Sequence, residues 1–374
     1  MQIPSSGPHR PRVLVLFGGR SGEHTISCAT AGGVLAAIDR DRYDVLAVGI
    51  TRDGRWVLAD DDPDRWAIRP GYLPQVDDAG AQVALVHGGA GAIGLVDDGM
   101  ARDLGTVDVV FPLLHGPYGE DGTVQGLLEL ADVRYVGAGV LASAVGMDKQ
   151  MMKVVLMGND LVVSPFRTVR AHEVAADLAQ VLADLEPLGL PLFVKPARAG
   201  SSLGISRVDA AADLPAALEM AAAHDPKIVV EAGVVGREVE CAVLGGRGGA
   251  RPRASLPGEI VVTDPAHTFY DYQAKYFSSD GVQLICPADL GAQVTAAVQD
   301  VAVRTFEALD CEGIARVDVF VTDDGQVVVN EINTMPGFTP YSMYPTMWQV
   351  SGLGYTELVD ELIALALERP TGLR

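Results

Sequence analysis

Cysteine is scarce in this chain of 374 residues: Cys28, Cys241, Cys286 and Cys311 stand far apart. No two share the short spacing of a zinc site or a disulfide framework, so buried thiols in a reducing cytosol are expected. Basic residues are also in short supply, with 28 Lys and Arg against 49 Asp and Glu and a formal net charge of −21. That balance excludes a nucleic-acid partner held through clustered cations, but not a small phosphate-bearing ligand, which needs only a few well-placed ones. No long apolar run is present. The weakly polar stretch from Val136 to Met147 is too short and too glycine-rich to span a bilayer, and no membrane role is expected. The opening MQIPSSGPHRPR has no apolar core of a signal peptide, and residues 1–11 read as a disordered lead. There is no internal repeat, no low-complexity block and no Gly-Lys dipeptide, which rules out a Walker-type phosphate loop.

What is present is the composition of a globular protein, 48% hydrophobic and 21% charged, at a length that suits two or three domains. RVLVLFG (12–18), a helical stretch over 27–38 and YDVLAVGI (43–50) give a strand–helix–strand rhythm, hence a parallel α/β unit. Residues 59–106 read as irregular structure or short hairpins. VDVVFPLLH (107–115) is a buried strand leading to a glycine-rich loop and a helix over 123–131. From about 147 helices (148–157, 172–185, 211–223) alternate with the strands PLFVKPA, KIVVEAG and REVECAVLG, an α+β texture. A helix over 290–309, a hairpin at 314–332 and a terminal helix over 355–367 complete the chain. GAGAIG (89–94) imitates a dinucleotide-binding turn, but LVDDG does not open a helix, so a loop is expected. Gly137 and Gly139 read as a strand-to-helix turn.

The hairpin carries the sharpest chemical signal. In ARVDVFVTDDGQVVVNEIN, Asp324-Gly325 suits a two-residue turn that would set Thr322 opposite Val327. Asp318 then faces Glu331 and Arg316 faces Asn333, all four on one side of the sheet. Opposed Cβ atoms lie about 4.5–5.5 Å apart, where like charges repel. A divalent cation held by Asp318, Glu331 and the Asn333 carbonyl would neutralise the pair, such hard oxygen ligands being those magnesium prefers. The competing reading is a solvent-exposed charged hairpin. Arg316 becomes a fixed cation beside the metal, suited to a developing oxyanion. Upstream, KPARAGSSLG (195–204) sets Lys195 before a Gly/Ser loop whose backbone N–H groups and hydroxyls could receive phosphate; a plain hairpin turn is its bland alternative.

Seven blocks together resemble the successive signatures of D-alanine–D-alanine ligases of the ATP-grasp superfamily, in order: GGRSGEHTIS (18–27), HGPYGEDGTVQG (115–126), MDK (147–149), VKPARAGSSLG (194–204), FYDYQAKY (269–276), RVDVF (316–320) and NEINTMPGFTPYS (330–342). The resemblance spans residues 12 to 367. It implies a three-domain ATP-grasp fold of α/β and α+β parts: an N-terminal α/β domain over 12–137, a central ATP-grasp subdomain over 138–235 and a C-terminal catalytic subdomain over 236–374. It also implies phosphorylation of one D-alanine carboxylate by ATP, attack by the amine of a second, and release of phosphate through a tetrahedral intermediate.

By the same resemblance, Glu23 holds the first ammonium, with His115 and Glu120 shaping the pocket. Alone, Glu23 could equally cap a helix and His115 be an ordinary loop residue. Lys149 and Lys195 bind phosphates, Ser201 contacts substrates and phosphoryl group, and Ser202 belongs to the same loop. Glu231 to Val234 runs along the adenine and Glu238 meets the adenosine; Ala232 stands where relatives often carry a larger residue. FYDYQAKY is a closing loop that excludes water, Lys275 reaching the γ-phosphate and Tyr276 the substrate side. Asp318, Glu331 and Asn333 hold magnesium or manganese, typically two ions. Arg316 and the Gly337 N–H stabilise the oxyanion, while Ser342 and the Met343 backbone hold the second carboxylate.

A cytoplasmic homodimer serving peptidoglycan precursor synthesis is implied. The nearest alternatives are a ligase using D-lactate or D-serine, against which Tyr276 argues, and a catalytically silent ATP-binding regulator, against which the intact Lys149, Lys195, Arg316 and metal set argue.

Overall fold

The computed structural model describes residues 10–85, 92–97, 100–201, 203–262 and 282–371. Most of the expected N-terminal lead, the loop FYDYQAKY with Lys275 and Tyr276, and Ser202 lie outside the described residues.

The first sheet has eight strands: β1 (Arg12–Gly18), β2 (Asp44–Ile50), β3 (Trp56–Leu58), β4 (Gln82–Leu85), β5 (Ala92–Asp97), β6 (Met100–Thr106), β7 (Val109–Pro112) and β8 (Arg134–Tyr135). Their order is β6-β5-β4-β3-β2-β1-β7-β8. The expected parallel unit is there, β1 pairing in parallel with β2 and β7, and β7 with β8. β1 is buried almost throughout, as a strand covered on both faces must be. Of the 59–106 stretch, the described residues are irregular up to β4, and β3 to β6 extend the sheet from β2 in antiparallel fashion. Of GAGAIG, the described residues Ala92–Gly94 are not loop but open β5, with Gly94 paired to Ala84, and 89–91 lie outside the described residues. Helices α1 (His24–Ala37) and α2 (Thr123–Leu130) flank this sheet.

Two further helices follow, α3 (Val140–Met147) and α4 (Lys149–Gly158). Asp148 caps α4, its carboxylate accepting from the Gln150 and Met151 N–H groups at 3.1 Å each. Lys149, Met152, Lys153 and Leu156 form the buried face of α4 at helical spacing. The second sheet is antiparallel, with β9 (Phe166–Arg170), β10 (Leu192–Pro196), β11 (Ser206–Val208) and β12 (Lys227–Ala232) in the order β11-β10-β12-β9. The single helix expected over 172–185 is two, α5 (Ala171–Ala176) and α6 (Leu178–Leu185), because Asp177 leaves helical geometry and caps the Gln180 N–H. With α7 (Leu214–Ala222) they cover one face.

The third sheet holds β13 (Arg237–Leu244), β14 (Arg253–Ala254), β15 (Gly258–Val262), β16 (Val282–Ile285), β17 (Ile314–Val321) and β18 (Val327–Asn333). Its path is β16-β15-β13-β17-β18, with β14 on β13. α8 (Ala292–Ala308) packs on it, and α9 (Met343–Val350) and α10 (Tyr355–Glu368) end the chain. Phe338, Tyr344, Met347, Leu362 and Ile363 share one core with Val13, Val15 and Phe111 of the first sheet, so the final segment locks the third sheet's end to the first. Cys28, Cys241 and Cys311 are buried, as expected, and burial pushes each thiol up to about 12. Cys286 departs from that expectation, being only half-buried, at about 11. Among the described residues no helix is long and apolar enough to cross a membrane.

Candidate active site

The corner that carries Glu23 is set by glycine. Gly18 and Gly19 both have positive φ, and a Cβ on Gly18 would meet the Ile50 carbonyl oxygen at 2.3 Å. Ser27 Oγ accepts from the Gly18 N–H at 2.8 Å and donates to the Leu113 carbonyl, fixing the turn to the neighbouring strand. Glu23 starts α1 with its backbone alone, its carbonyl accepting from the Ser27 N–H at 3.0 Å. Its side chain instead accepts from Ser201 Oγ, 178 residues on, and Ser201 itself sits at φ +50°. His115 is buried, Nδ1 donating to the Met335 carbonyl at 3.1 Å with Nε2 facing Thr30 Oγ1 at 3.5 Å. Burial pushes the His115 imidazole below its ordinary value, against the pull of Glu23.

Glu120 accepts from the Gly116 N–H at 2.6 Å and the Met335 N–H at 3.2 Å. Burial, and then the nearby Glu23 carboxylate, nevertheless push its carboxyl up to about 8. A carboxyl raised on folding contributes stability that is fully present below its unfolded value and is lost as pH rises through 8. Between pH 5 and 9 this loss is on the order of a few kcal/mol. Denaturant unfolding across that range should therefore show a falling stability that Glu120→Gln flattens; an unchanged slope in the variant would remove Glu120 as its source.

A second constellation lies on α4, β10 and β12. Lys149 Nζ donates to the Ala199 carbonyl at 2.7 Å, at the edge of the Gly/Ser loop. Lys195 Nζ lies 3.0 Å from Glu231 Oε2 and 3.4 Å from Asn330 Oδ1. Lys153, fully buried, donates to Ser164 Oγ at 3.0 Å and stands 3.5 Å from Glu231 Oε1; Ser164 donates to Glu231 Oε2 at 3.2 Å. Burial disfavours the Glu231 carboxylate, but Lys195 and Lys153 prevail and hold it down to about 2. For Lys153 burial wins, lowering the ammonium against the attraction of Glu231.

The third constellation is a row across three strands. Glu240 on β13 pairs with Asp318 on β17, which pairs with Glu331 on β18. Arg316 and Asn333 form the next rung. Arg316 makes two 2.7 Å bonds to the Asp318 carboxylate and lies 3.3 Å from Glu240. Burial opposes its charge, but Asp318 and Glu240 hold the guanidinium well above its ordinary value. Asp318 is thus paired directly with Arg316, which the cross-strand reasoning sets opposite Asn333 and beside the metal. Asn333 Nδ2 donates to Asp318 at 3.0 Å, a bond that does not engage the Asn333 carbonyl oxygen. Among the described residues no three acidic, His or Cys side chains converge as a complete metal cluster. Two carboxylates and an amide oxygen do fit a hard divalent cation whose other ligands are water and phosphate oxygens.

Two adjoining cavities organise these groups. One is lined by Lys195, Glu231, Val234, Glu238 and Asp318, the other by Glu23, His115, Glu120, Arg316, Asn333 and Gly337. Lys149, Gly200, Ser201 and Glu331 line both. Ser342 and Met343 line neither. Ser342 precedes α9 and its hydroxyl accepts from the Thr339 N–H at 3.1 Å, while the buried Met343 side chain packs on Gly258. Lys153, Ser164, Glu240 and Met335 were missed from the sequence. The spacing of four from Lys149 to Lys153, and the alternation of Glu238 with Glu240, would have put each beside a residue already chosen.

Comparison with known proteins finds one family along the chain. The family model described as D-ala D-ala ligase N-terminus matches residues 12–138, and that described as D-ala D-ala ligase C-terminus matches 155–364. A D-alanine–D-alanine ligase of Pseudarthrobacter chlorophenolicus is 56% identical over 99% of this chain and 97% of its own length. One from Streptomyces coelicolor is 54% identical over 97% and 95%. Among solved structures, the Coxiella burnetii D-alanine-D-alanine ligase has a TM-score of 0.79 at 36% identity, covering 96% of this chain and 94% of that one. The VanG D-Ala:D-Ser ligase of Enterococcus faecalis has a TM-score of 0.82 at 34% identity, covering 96% and 100%. The chain belongs to the D-alanine–D-alanine ligase family.

Proposed function

We propose that the chain joins two D-alanines to D-alanyl-D-alanine with cleavage of ATP to ADP and phosphate. The observation that carries the reading is the shared wall between the two cavities, where Lys149, Ser201 and Glu331 face both sides. A phosphoryl group passing from a nucleotide in one cavity to a carboxylate in the other would cross there. ATP and a divalent metal are what this family uses. Magnesium or manganese, typically two ions, suits the ligands Asp318, Glu331 and Asn333. When bound, the metal would neutralise the phosphate oxygens.

The chain's own residues do the rest. Lys149 and Lys195 draw the phosphates, Glu238 meets the adenosine, and Glu231 to Val234 lies along the adenine. Glu231 Oε1 is buried and faces the Lys153 ammonium at 3.5 Å. Glu23, with His115 and Glu120, takes the ammonium of the first D-alanine, and the carboxylate oxygen of that D-alanine attacks the γ-phosphorus as ADP leaves. The second D-alanine is held by its carboxylate at Ser342 and the Met343 N–H, where a helix begins. Its amine attacks the acyl carbon; Arg316 and the Gly337 N–H receive the oxyanion, and phosphate departs. Ser202, Lys275 and Tyr276 complete the proposal as loop residues that cover the phosphates and substrates. The domains divide at 137/138 and 235/236, and the enzyme works as a cytoplasmic homodimer in peptidoglycan precursor synthesis.

ADP release decides the substrate. Strong release is expected with D-alanine alone, none with L-alanine, and no preference for added D-lactate or D-serine. Turnover that requires D-lactate or D-serine would make it a ligase of that kind.

A further inference from the structure

Glu231 is one carboxylate between two ammoniums, and the two are not equivalent. Lys195 lines the nucleotide cavity, 3.0 Å from Glu231 on one side and 3.4 Å from Asn330 on the other. Asn330 is the extra residue of a bulge, placed between Val329 and Glu331, so it offers Lys195 a second acceptor towards the Asp318–Glu331 pair. Lys153 has no such freedom. It is 0% exposed, does not line the cavity, and is fixed by Ser164 Oγ at 3.0 Å with the Phe166 ring 5.9 Å from its Nζ. Had Glu231 only Lys195 as counter-ion, any movement of Lys195 towards phosphate would strand a carboxylate in a dry site, a costly state.

We propose that Lys153 is a positioning residue for nucleotide binding: it remains the counter-ion of Glu231 and so lets Lys195 leave Glu231 for the phosphates. The proposal rests on the reading of this cavity as the ATP site. It makes Lys195 a two-position residue and Lys153 its stationary substitute. Removing Lys153 then weakens ligands that carry phosphate more than those that do not, because only phosphate draws Lys195 away.

Calorimetric binding of ATP with magnesium, and of adenosine, to the whole protein without D-alanine tests this. Wild type should bind both, ATP more tightly; wild type that does not bind ATP overturns the reading of the cavity, not the role of Lys153. Lys153→Met should lower ATP affinity by about tenfold or more, as expected when a buried charge loses its partner, with a smaller loss for adenosine. Adding Glu231→Gln to Lys153→Met should restore the ATP-to-adenosine preference, since a neutral amide at that position no longer retains Lys195. Equal losses for ATP and adenosine, or no restoration in the double variant, would assign Lys153 a merely structural part. If the methionine variant does not fold, Lys153→Gln, which can still bond Ser164, is read in the same comparison.

Discussion

Replacing Arg316 by Met is expected to lower kcat by about 10³-fold or more, a larger effect than loss of a single neutral oxyanion donor. Two consequences combine. The bidentate guanidinium that lines the substrate cavity with Gly337 disappears, and with it a fixed positive charge there. At the same time Asp318 and Glu240 lose their common partner in a buried setting, which costs about 3–5 kcal/mol of stability when one member of such a pair is removed. Arg316→Lys separates the two: an ammonium keeps the charge but cannot make both bonds to Asp318. It should recover most of the thermal stability and little of the turnover. Steady-state kinetics beside thermal unfolding are the measurement, and Arg316→Met retaining a tenth of wild-type kcat would end the assignment.

The Asp318–Glu331 pairing was legible in the sequence for a reason that was half right. A two-residue Asp324-Gly325 turn implies Thr322 opposite Val327 and, counting outward, Asp318 opposite Glu331. The turn is in fact a three-residue loop: Thr322 N–H donates to the Gln326 carbonyl at 3.0 Å, and Gly325 takes a left-handed φ of +80°. Every pairing near the loop is therefore shifted, Val321 facing Val327 and Val319 facing Val329. The bulge at Asn330 then shifts the register back, so that Asp318 meets Glu331 and Arg316 meets Asn333. Asp-Gly suits both loop lengths, and a bulge residue leaves no mark in the alternation of Val and Asn. Two departures of one residue cancel at the site.

Elsewhere the limits of the sequence are also local. The period of β1, β2 and β7 was clear because parallel strands buried on both faces are uninterrupted apolar runs. The strand-to-helix turn read at Gly137 and Gly139 does lead from β8 into α3, but the extent of that helix was not legible, because Val140 to Met147 is apolar on nearly every side and leaves no polar face to reveal a helical period. α9 was hidden by Pro345, which falls in its first turn, where proline is tolerated. Glu23, His115 and Glu120 show no sequence pattern that joins them to Arg316. Only the packing of residues 335–368 on the first sheet brings them into one cavity.

Glu331 should respond to substitution in opposite senses for activity and stability. Glu331→Ala or Glu331→Gln removes one acid from the row Glu240–Asp318–Glu331, in which Arg316 pairs with Glu240 and Asp318. Cross-strand repulsion falls, and stability without metal should be unchanged or higher by up to about 1 kcal/mol. Turnover should fall by at least about 10²-fold, because a residue in direct contact with the ion matters more than the outer groups whose loss already costs about 10–100-fold. Metal linkage adds a third reading. Wild type should gain thermal stability when magnesium and ATP are supplied together, since whatever binds only the folded state stabilises it, whereas the variants should gain much less. ADP release titrated with magnesium, and melting with and without the ion and nucleotide, measure all three. A variant that keeps the wild-type magnesium dependence would leave Glu331 as one acid in a charged hairpin. A variant that is more stable, inactive and insensitive to magnesium would locate in this row the acidic repulsion that the protein carries for the sake of its metal.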